Sequence, residues 1–172
     1  MAIFNQSVQL AFLVEGDFAP AVANRGAVKY GINQQTLKEH GYPHSVEDVR
    51  NMTQKFAEQF YFKHFWIKTR TRELSSQVVA DLFFVTFINM NPLKAGRILQ
   101  LATDGKAEVD GKVGPKTINA VNSIPASQFT PRFLAELEAY YRDRAENHGD
   151  EKYLPGWLGR VGTMRKWANE RM

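Results

Sequence analysis

One carboxylate near the N-terminus is placed as a catalytic acid would be. Glu15 ends an apolar, helix-like segment, and Gly16 and a loop without helical or strand period follow it. The negative end of a helix and apolar neighbours such as Leu13 and Phe18 both favour the protonated form of a carboxyl group. A protonated carboxyl can donate its proton to a leaving oxygen, as glycoside hydrolysis requires. The same pattern also fits a surface glutamate at a helix end, so these residues alone leave both interpretations open.

The elements that must position this carboxylate are predicted to be helices. Apolar residues recur at three- and four-residue spacing along most of the chain. Predicted helices cover residues 4–14, 34–39, 45–60, 75–90, 93–103, 114–121, 130–148 and 155–167. A turn-rich segment at residues 104–113 contains two Asp-Gly pairs and could form a short hairpin. The predicted fold class is therefore all-α, with at most one small hairpin.

Local signals indicate where several of these helices begin. Ser45 and Asp48 approximate a capping box, and Thr130 followed by Pro131 is a typical helix start. The segment at residues 75–90 is apolar around most of its circumference, which predicts a central buried helix. Its Phe and Val content also fits a buried strand, but its length favours a helix.

Composition limits the possible functions. The 172-residue chain has a net charge of +4 and contains no cysteine, so disulfides, thiolate catalysis and cysteine zinc sites are excluded. His64 has no second ligand at a suitable spacing, and no metal or cofactor is expected. Residues 60–72 alternate aromatic and basic side chains, which could stack on sugars or bases. The same stretch also fits the end of a core helix followed by a solvated basic loop.

Three motifs in the N-terminal part resemble the family 108 glycoside hydrolases, which include phage endolysins and secretion-activator muramidases. They are Val-Glu-Gly-Asp-Phe at residues 14–18, Gly-Ala at residues 26–27 and Tyr-Gly-Ile at residues 30–32. The family pattern reads E-G-G-aromatic, then D-P-G-G-A-T, then Y-G-I. The family's catalytic glutamate corresponds to Glu15.

Two motifs in the C-terminal part extend the resemblance. Ile-Leu-Gln at residues 98–100 and the segment at residues 109–117 resemble the family's peptidoglycan-binding pattern, L-Q and D-G-x-x-G-x-x-T. Residues 156–161 resemble its closing G-W-x-x-R motif. The resemblance implies a catalytic part at residues 1–90 and a peptidoglycan-binding part at residues 91–172, packed into one compact unit.

The resemblance implies a lysozyme-like α fold that cleaves the glycan strand of bacterial peptidoglycan next to N-acetylmuramic acid, and a prophage origin. No signal peptide is recognisable, and the longest apolar run near the N-terminus is too short to span a bilayer. We therefore expect synthesis in the cytoplasm, action on the wall after release or export, and no stable membrane insertion. Nothing in the sequence indicates the oligomeric state.

Several positions depart from the family pattern. Residues 23–25 replace D-P-G, Val28 replaces the loop threonine, and Val85 stands where the central helix of the family commonly has an acid. Asp17, in place of the second glycine, is the candidate second catalytic group. Asp81 is a weaker candidate and fits better as a hydrogen-bonded structural carboxylate.

The candidate substrate-binding residues are Asn24, Lys29, Tyr30 and Asn89. Two functions remain open: an active muramidase with Glu15 as proton donor, or a wall-binding or secretion-related protein that keeps the fold without catalysis. A nucleic-acid binder ranks last, because no helix-turn-helix or RNA-recognition motif is present.

Overall fold

The computed structural model describes residues 1–20 and 26–172 and is mainly helical. Its elements are α1 (Phe4–Glu15), β1 (Val28–Lys29), β2 (Ile32–Asn33), α2 (Gln34–Glu39), α3 (Val46–Arg50), α4 (Gln54–His64), α5 (Gln77–Asn89), α6 (Pro92–Leu101), α7 (Pro115–Asn122), α8 (Ala126–His148) and α9 (Leu154–Asn169). Short 3-10 turns lie at Trp66–Lys68, Thr71–Glu73 and Glu151–Tyr153. Within the described ranges, no helix is both long and apolar enough to cross a membrane. The all-α prediction is confirmed.

Helix α5 forms the centre of the protein, as its uniformly apolar sequence predicts. Its buried face toward α1, α8 and α9 joins a large hydrophobic cluster that includes Leu82, Phe83 and Val85. Phe84 points instead into a second cluster, formed with the hairpin and α4. Because α5 serves two clusters, it is surrounded by protein on nearly all sides, and α1 lies directly against it.

A buried carboxylate joins three helices at one end of this core. Asp81 on α5 is fully buried. It accepts hydrogen bonds from Ser7 Oγ on α1 at 2.7 Å, Gln77 Nε2 at 2.6 Å and Trp167 Nε1 on α9 at 2.9 Å. Burial raises the pKa of Asp81, and these hydrogen bonds partly oppose the increase. Asp81 therefore has the structural role that the sequence favoured.

The small hairpin lies elsewhere than predicted. It pairs Val28 with Asn33 and Lys29 with Ile32, in a segment that was expected to be a loop. Tyr30 and Gly31 both have positive φ, +52° and +78°, as a two-residue type I′ turn requires. The predicted hairpin at residues 104–113 is wrong, since that segment contains no strand.

Two predicted helix boundaries also need correction. The helix expected at residues 45–60 is two helices, because Thr53 Oγ1 accepts a hydrogen bond from Phe56 N and starts α4 anew. The capping box of Ser45 at the start of α3 is confirmed. Helix α8 begins at Ala126, four residues before the predicted start at Thr130, so Pro131 lies inside the helix. A proline is tolerated there because the carbonyl that it leaves unpaired belongs to the exposed Ser127.

We expect Asp81→Asn to lower the free energy of unfolding by about 1–3 kcal/mol, since an amide cannot accept all three hydrogen bonds. The raised pKa also sets the pH dependence. The folded protein binds the proton of Asp81 more readily than the unfolded chain does. Proton binding therefore adds stability below the ordinary pKa of 3.8, and this added stability is lost as pH rises through the pKa of Asp81 in the folded protein. The deficit of the variant should therefore widen from neutral toward acid pH in urea denaturation.

Asp104→Asn is the matched control, because Asp104 is exposed and its one ion-pair partner among the described residues is the exposed Arg132. It should change stability by less than about 0.5 kcal/mol. Equal stabilities for the Asp81 and Asp104 variants would contradict the structural role of Asp81.

Candidate active site

Glu15 is the last residue of α1, and its side chain is only 13% exposed. Gly16, with φ of +70°, ends the helix by donating from its backbone N–H to the Phe12 carbonyl. Asn89 Nδ2 donates to Glu15 Oε1 at 2.6 Å, and an Arg160 guanidinium nitrogen lies 3.7 Å from the same oxygen. The carboxylate is thus held by one amide and one cation. Oε2 receives no hydrogen bond from the residues that the structure describes.

Asn89 is fixed by its own helix. It is the last residue of α5, and its Nδ2 also donates to the Val85 carbonyl one turn earlier at 2.9 Å. Val85, where the family pattern has an acid, is completely buried. This position therefore helps to hold Asn89 through its backbone, and its side chain belongs to the core.

Arg160 reaches the site from α9 and is supported by aromatic rings. Trp157, one turn earlier, stacks on Tyr141 of α8 with centroids 5.0 Å apart. Burial raises the pKa of Tyr141, and the charge of Arg160 opposes this increase. Arg160 Nε is buried and has no hydrogen-bond partner among the described residues. The site therefore contains a cation whose hydrogen-bonding capacity is not fully used.

The hairpin turn closes against Glu15 from the other side. A Cβ on Gly31 would lie 2.6 Å from Glu15 Cγ and 2.7 Å from Tyr61 Oη, so only glycine fits. Tyr61 Oη donates to the Tyr30 carbonyl at 2.7 Å and ties α4 to the turn. Burial raises the pKa of Tyr61 well above its ordinary value, and the charge of Glu15 adds to the increase.

These groups surround a cleft of about 320 Å³. The cleft is lined by Glu15, Pro20, Gly26, Val28, Gly31, Asn33, Thr36, Ile88, Asn89 and Arg160. Among the described residues, Glu15 is the one carboxylate in this lining. The arrangement provides a single proton donor or acceptor, a neighbouring cation and a hydrogen-bond donor, in a volume that suits part of a small ligand.

The structure brings together only some of the candidate residues. Asn89 lines the cleft beside Glu15. Asp17 is exposed outside the cleft lining, and its Oδ1 accepts a hydrogen bond from Phe18 N. Lys29 Nζ donates to the Arg50 carbonyl, and the ring of Tyr30 packs on Phe12; neither residue is part of the lining.

Asn24 lies outside the described residues, so its predicted contact with substrate stays a prediction. Arg160 was not among the candidate site residues, although the G-W-x-x-R motif contains it. The motif indicates that an arginine is present, but only the packing of α9 on α1 shows that it reaches Glu15. Gly31 was also missed, because its role depends on the side chain of Glu15 across the turn.

Comparisons with known proteins match two segments of the chain to described families. Residues 9–90 match the model of the family described as Glycosyl hydrolase 108, and residues 94–162 match the Predicted Peptidoglycan domain. Residues 9–90 therefore form a glycosyl hydrolase 108 segment, and a predicted peptidoglycan domain follows it. The solved structure of Brucella abortus SagA is similar, with a TM-score of 0.79 and 24% sequence identity over 98% of this chain and 94% of that one. This likeness shows a shared fold. The comparison with curated proteins finds no match.

The residues of the peptidoglycan-domain motif form hydrogen bonds mainly with one another. Gln100, which is buried, donates to Asp110 Oδ1 at 2.8 Å and to the Lys112 carbonyl at 3.2 Å, and its Oε1 accepts from Gly111 N at 2.7 Å. Its Nε2 also lies 3.2 Å from Thr117 Oγ1. These side chains therefore shape the loop between α6 and α7. They replace the strand pairing that the two Asp-Gly turns suggested.

Gly31→Ala tests whether the turn positions Glu15. The added Cβ must displace the Glu15 side chain, and a misplacement of about 1 Å can cost roughly 100-fold in catalytic rate. Gly41→Ala is the control: its φ of +75° imposes similar backbone strain, but nothing lies within 4 Å of the new Cβ. Gly41→Ala should lose about 1–2 kcal/mol of stability in thermal melts from the left-handed backbone alone, and Gly31→Ala should lose more because its Cβ also clashes. Equal wall-hydrolysis rates in the two variants would show that the turn does not position Glu15 for catalysis.

Gln100→Ala tests the structural role of the domain motif. It leaves the Gly111 amide and the Asp110 carboxylate without this partner, and we expect a loss of about 1–3 kcal/mol in the free energy of unfolding. An unchanged urea midpoint, combined with weaker sedimentation with peptidoglycan, would instead make Gln100 a ligand-binding residue.

Proposed function

We propose that this protein hydrolyses the glycan strand of bacterial peptidoglycan as an N-acetylmuramidase, with Glu15 as the proton donor. The observation that carries the proposal is the placement of Glu15, mostly shielded at the end of α1 and facing a cleft in a glycosyl hydrolase 108 segment. The predicted peptidoglycan domain in the same chain supports the choice of substrate.

Each group around Glu15 has a task in this mechanism. Glu15 gives its proton to the oxygen of the scissile glycosidic bond, as the general acid of glycoside hydrolysis does. Asn89 fixes the orientation of the carboxyl group through Oε1, which leaves Oε2 for the substrate. After proton transfer, Arg160 stabilises the carboxylate that forms.

The group that activates water is a separate part of the proposal. Asp17 is the nearest acid along the sequence, two residues after Glu15, and it is solvent-exposed. We propose it as the second carboxylate, reached by movement of the loop after Gly16. Asp17→Asn tests this assignment independently of Glu15, because it should lower the hydrolysis rate and leave peptidoglycan binding intact.

We further propose that the protein derives from a prophage and is made in the cytoplasm, from which it reaches the wall after release or export. The basic net charge of +4 would favour association with anionic wall polymers.

A second candidate function is a peptidoglycan-binding or secretion-related protein without catalysis. One observation favours it: among the described residues, no carboxylate other than Glu15 lines the cleft. Sedimentation with insoluble peptidoglycan, measured together with the release of reducing ends, separates the two functions. Binding without release supports the second candidate, whereas sustained release supports the muramidase.

Glu15→Gln should lower the release of reducing ends from purified cell walls by roughly 10²- to 10⁴-fold, because the amide cannot donate the catalytic proton. Binding to insoluble peptidoglycan should stay within about twofold of the unmodified protein, since the side-chain shape is kept. Glu146→Gln, at an exposed position on α8, removes the same charge away from the cleft and should leave hydrolysis unchanged. Equal hydrolysis by the Glu15 and Glu146 variants would remove Glu15 from the mechanism.

A further inference from the structure

Ile3, Phe62 and Ile67 are large apolar side chains that are exposed around the start of α1. Ile3 is 56% exposed, Phe62 is 47% exposed and Ile67 is 57% exposed. They come from three parts of the sequence, and Phe4 brings these parts together, since its ring packs edge-on against Phe62 at 5.2 Å and Trp66 at 5.5 Å. Ile3 and Phe62 also line one shallow groove of about 700 Å³. We call Ile3, Phe62, Lys63, Ile67, Lys68 and Arg72 the Phe62 surface.

Basic side chains accompany these apolar residues. Lys63 lines the same groove, and Lys68 directly follows Ile67. Arg72 lies beside the N-terminal segment, because its carbonyl accepts from Ala2 N at 3.1 Å. Lys63 and Lys68 are both exposed and close enough to His64 to contribute, after burial and His40, to lowering its pKa.

Two carboxylates lie nearby, and both have partners. Glu58 lines the groove and accepts a hydrogen bond from Gln54 at 3.2 Å. Glu73 forms a two-point ion pair with Arg70, at 3.0 Å for each contact. Lys63, Lys68 and Arg72 therefore outnumber the one nearby carboxylate, Glu58, whose charge no described cation neutralises, and positive charge is in excess on this surface.

The exposed side chains favour a lipid surface over nucleic acid. Aromatic residues that could stack on bases must present a ring face, but Phe60 and Trp66 are almost completely buried. Two of the three exposed apolar side chains are isoleucines, which cannot stack. Exposed aliphatic and aromatic side chains beside lysines are instead the pattern of proteins that lie on anionic membranes.

We propose that the Phe62 surface binds the headgroup region of anionic phospholipid bilayers. Phe62, Ile3 and Ile67 enter the upper acyl region, while Lys63, Lys68 and Arg72 neutralise lipid phosphates. This contact is peripheral and requires no helix to cross the bilayer.

The position of α1 gives this contact an orientation. Ile3 immediately precedes the helix and Glu15 ends it, so the membrane-facing surface and the cleft lie at opposite ends, about 18 Å apart for 12 residues. A protein bound in this way directs its cleft away from the bilayer. Lipid binding itself does not depend on the proposed hydrolytic function.

The test is co-sedimentation with vesicles of phosphatidylcholine alone or mixed with phosphatidylglycerol. We expect binding only to the mixed vesicles. Lys63→Gln combined with Lys68→Gln should weaken it by roughly 25-fold, about fivefold for each lysine. Phe62→Ser combined with Ile67→Ser should weaken it by at least about tenfold, because both side chains lose their apolar burial in the bilayer.

Matched controls remove the same kinds of side chain at residues that are not part of the Phe62 surface. Lys106→Gln combined with Lys116→Gln removes two exposed lysines, and Leu93→Ser combined with Leu101→Ser removes two exposed apolar side chains. Both controls should bind like the unmodified protein. Thermal melts of every variant verify the fold.

Several results would overturn the proposal: binding to neither type of vesicle, equal binding to both types, or equal losses in the Phe62-surface and control variants. A gel shift with random DNA at physiological salt, without vesicle binding, would assign the surface to nucleic acid. Hydrolysis of soluble peptidoglycan fragments should be unchanged in the two Phe62-surface double variants, so a failure here is distinguishable from a failure of the muramidase proposal.

Discussion

The structure depends on the packing of α1 and α9 with the buried helix α5. Polar contacts join the three helices at both ends of this core. At one end Ser7, Asp81 and Trp167 meet, and at the other end the carboxylate of Glu15 meets Asn89 and Arg160. Ser7 and Glu15 on α1 are eight positions apart, as are Asp81 and Asn89 on α5. Arg160 and Trp167 on α9 are seven positions apart. On each helix the two residues therefore lie on one face, about two turns from each other. The buried hydrogen bonds of Asp81 therefore fix how the three helices align along one another, and this alignment places Glu15 in its site.

The environment of Glu15 is asymmetric. Asn89 and Arg160 both contact Oε1, while Gly31 and Tyr61 limit the space around the side chain. A carboxyl group held in this way loses little orientational freedom when substrate binds, which lowers the entropic cost of reaching a reactive geometry. Because Arg160 comes from the C-terminal half and Glu15 from the N-terminal half, the two matched segments build one site together.

The C-terminal segment shows that a motif can have a structural function first. Gln100 satisfies backbone groups of the loop that begins at Asp110, and Gly96 packs so closely against the Gly111 carbonyl that any side chain at residue 96 would collide with it. The surface around Phe62 is different, since its apolar side chains are exposed and its lysines have no carboxylate partner among the described residues. Surfaces of this second kind are better candidates for contacts with other molecules.

The sequence by itself determined the helical class and the central position of α5, because apolar periodicity is a local property. Glu15 became the candidate acid through the resemblance of its surrounding motifs to family 108, since an acid at a helix end alone also fits a surface glutamate. The sequence also favoured a structural role for Asp81. It misplaced the hairpin, since Tyr30 at positive φ is a rare choice for a type I′ turn, and it missed the break at Thr53. Only the tertiary structure decided that Arg160 and Asn89 contact Glu15 and that Asp17, Lys29 and Tyr30 lie outside the cleft lining. Those positions follow from how three helices pack, and residues far apart in the chain carry no local signal of their contact.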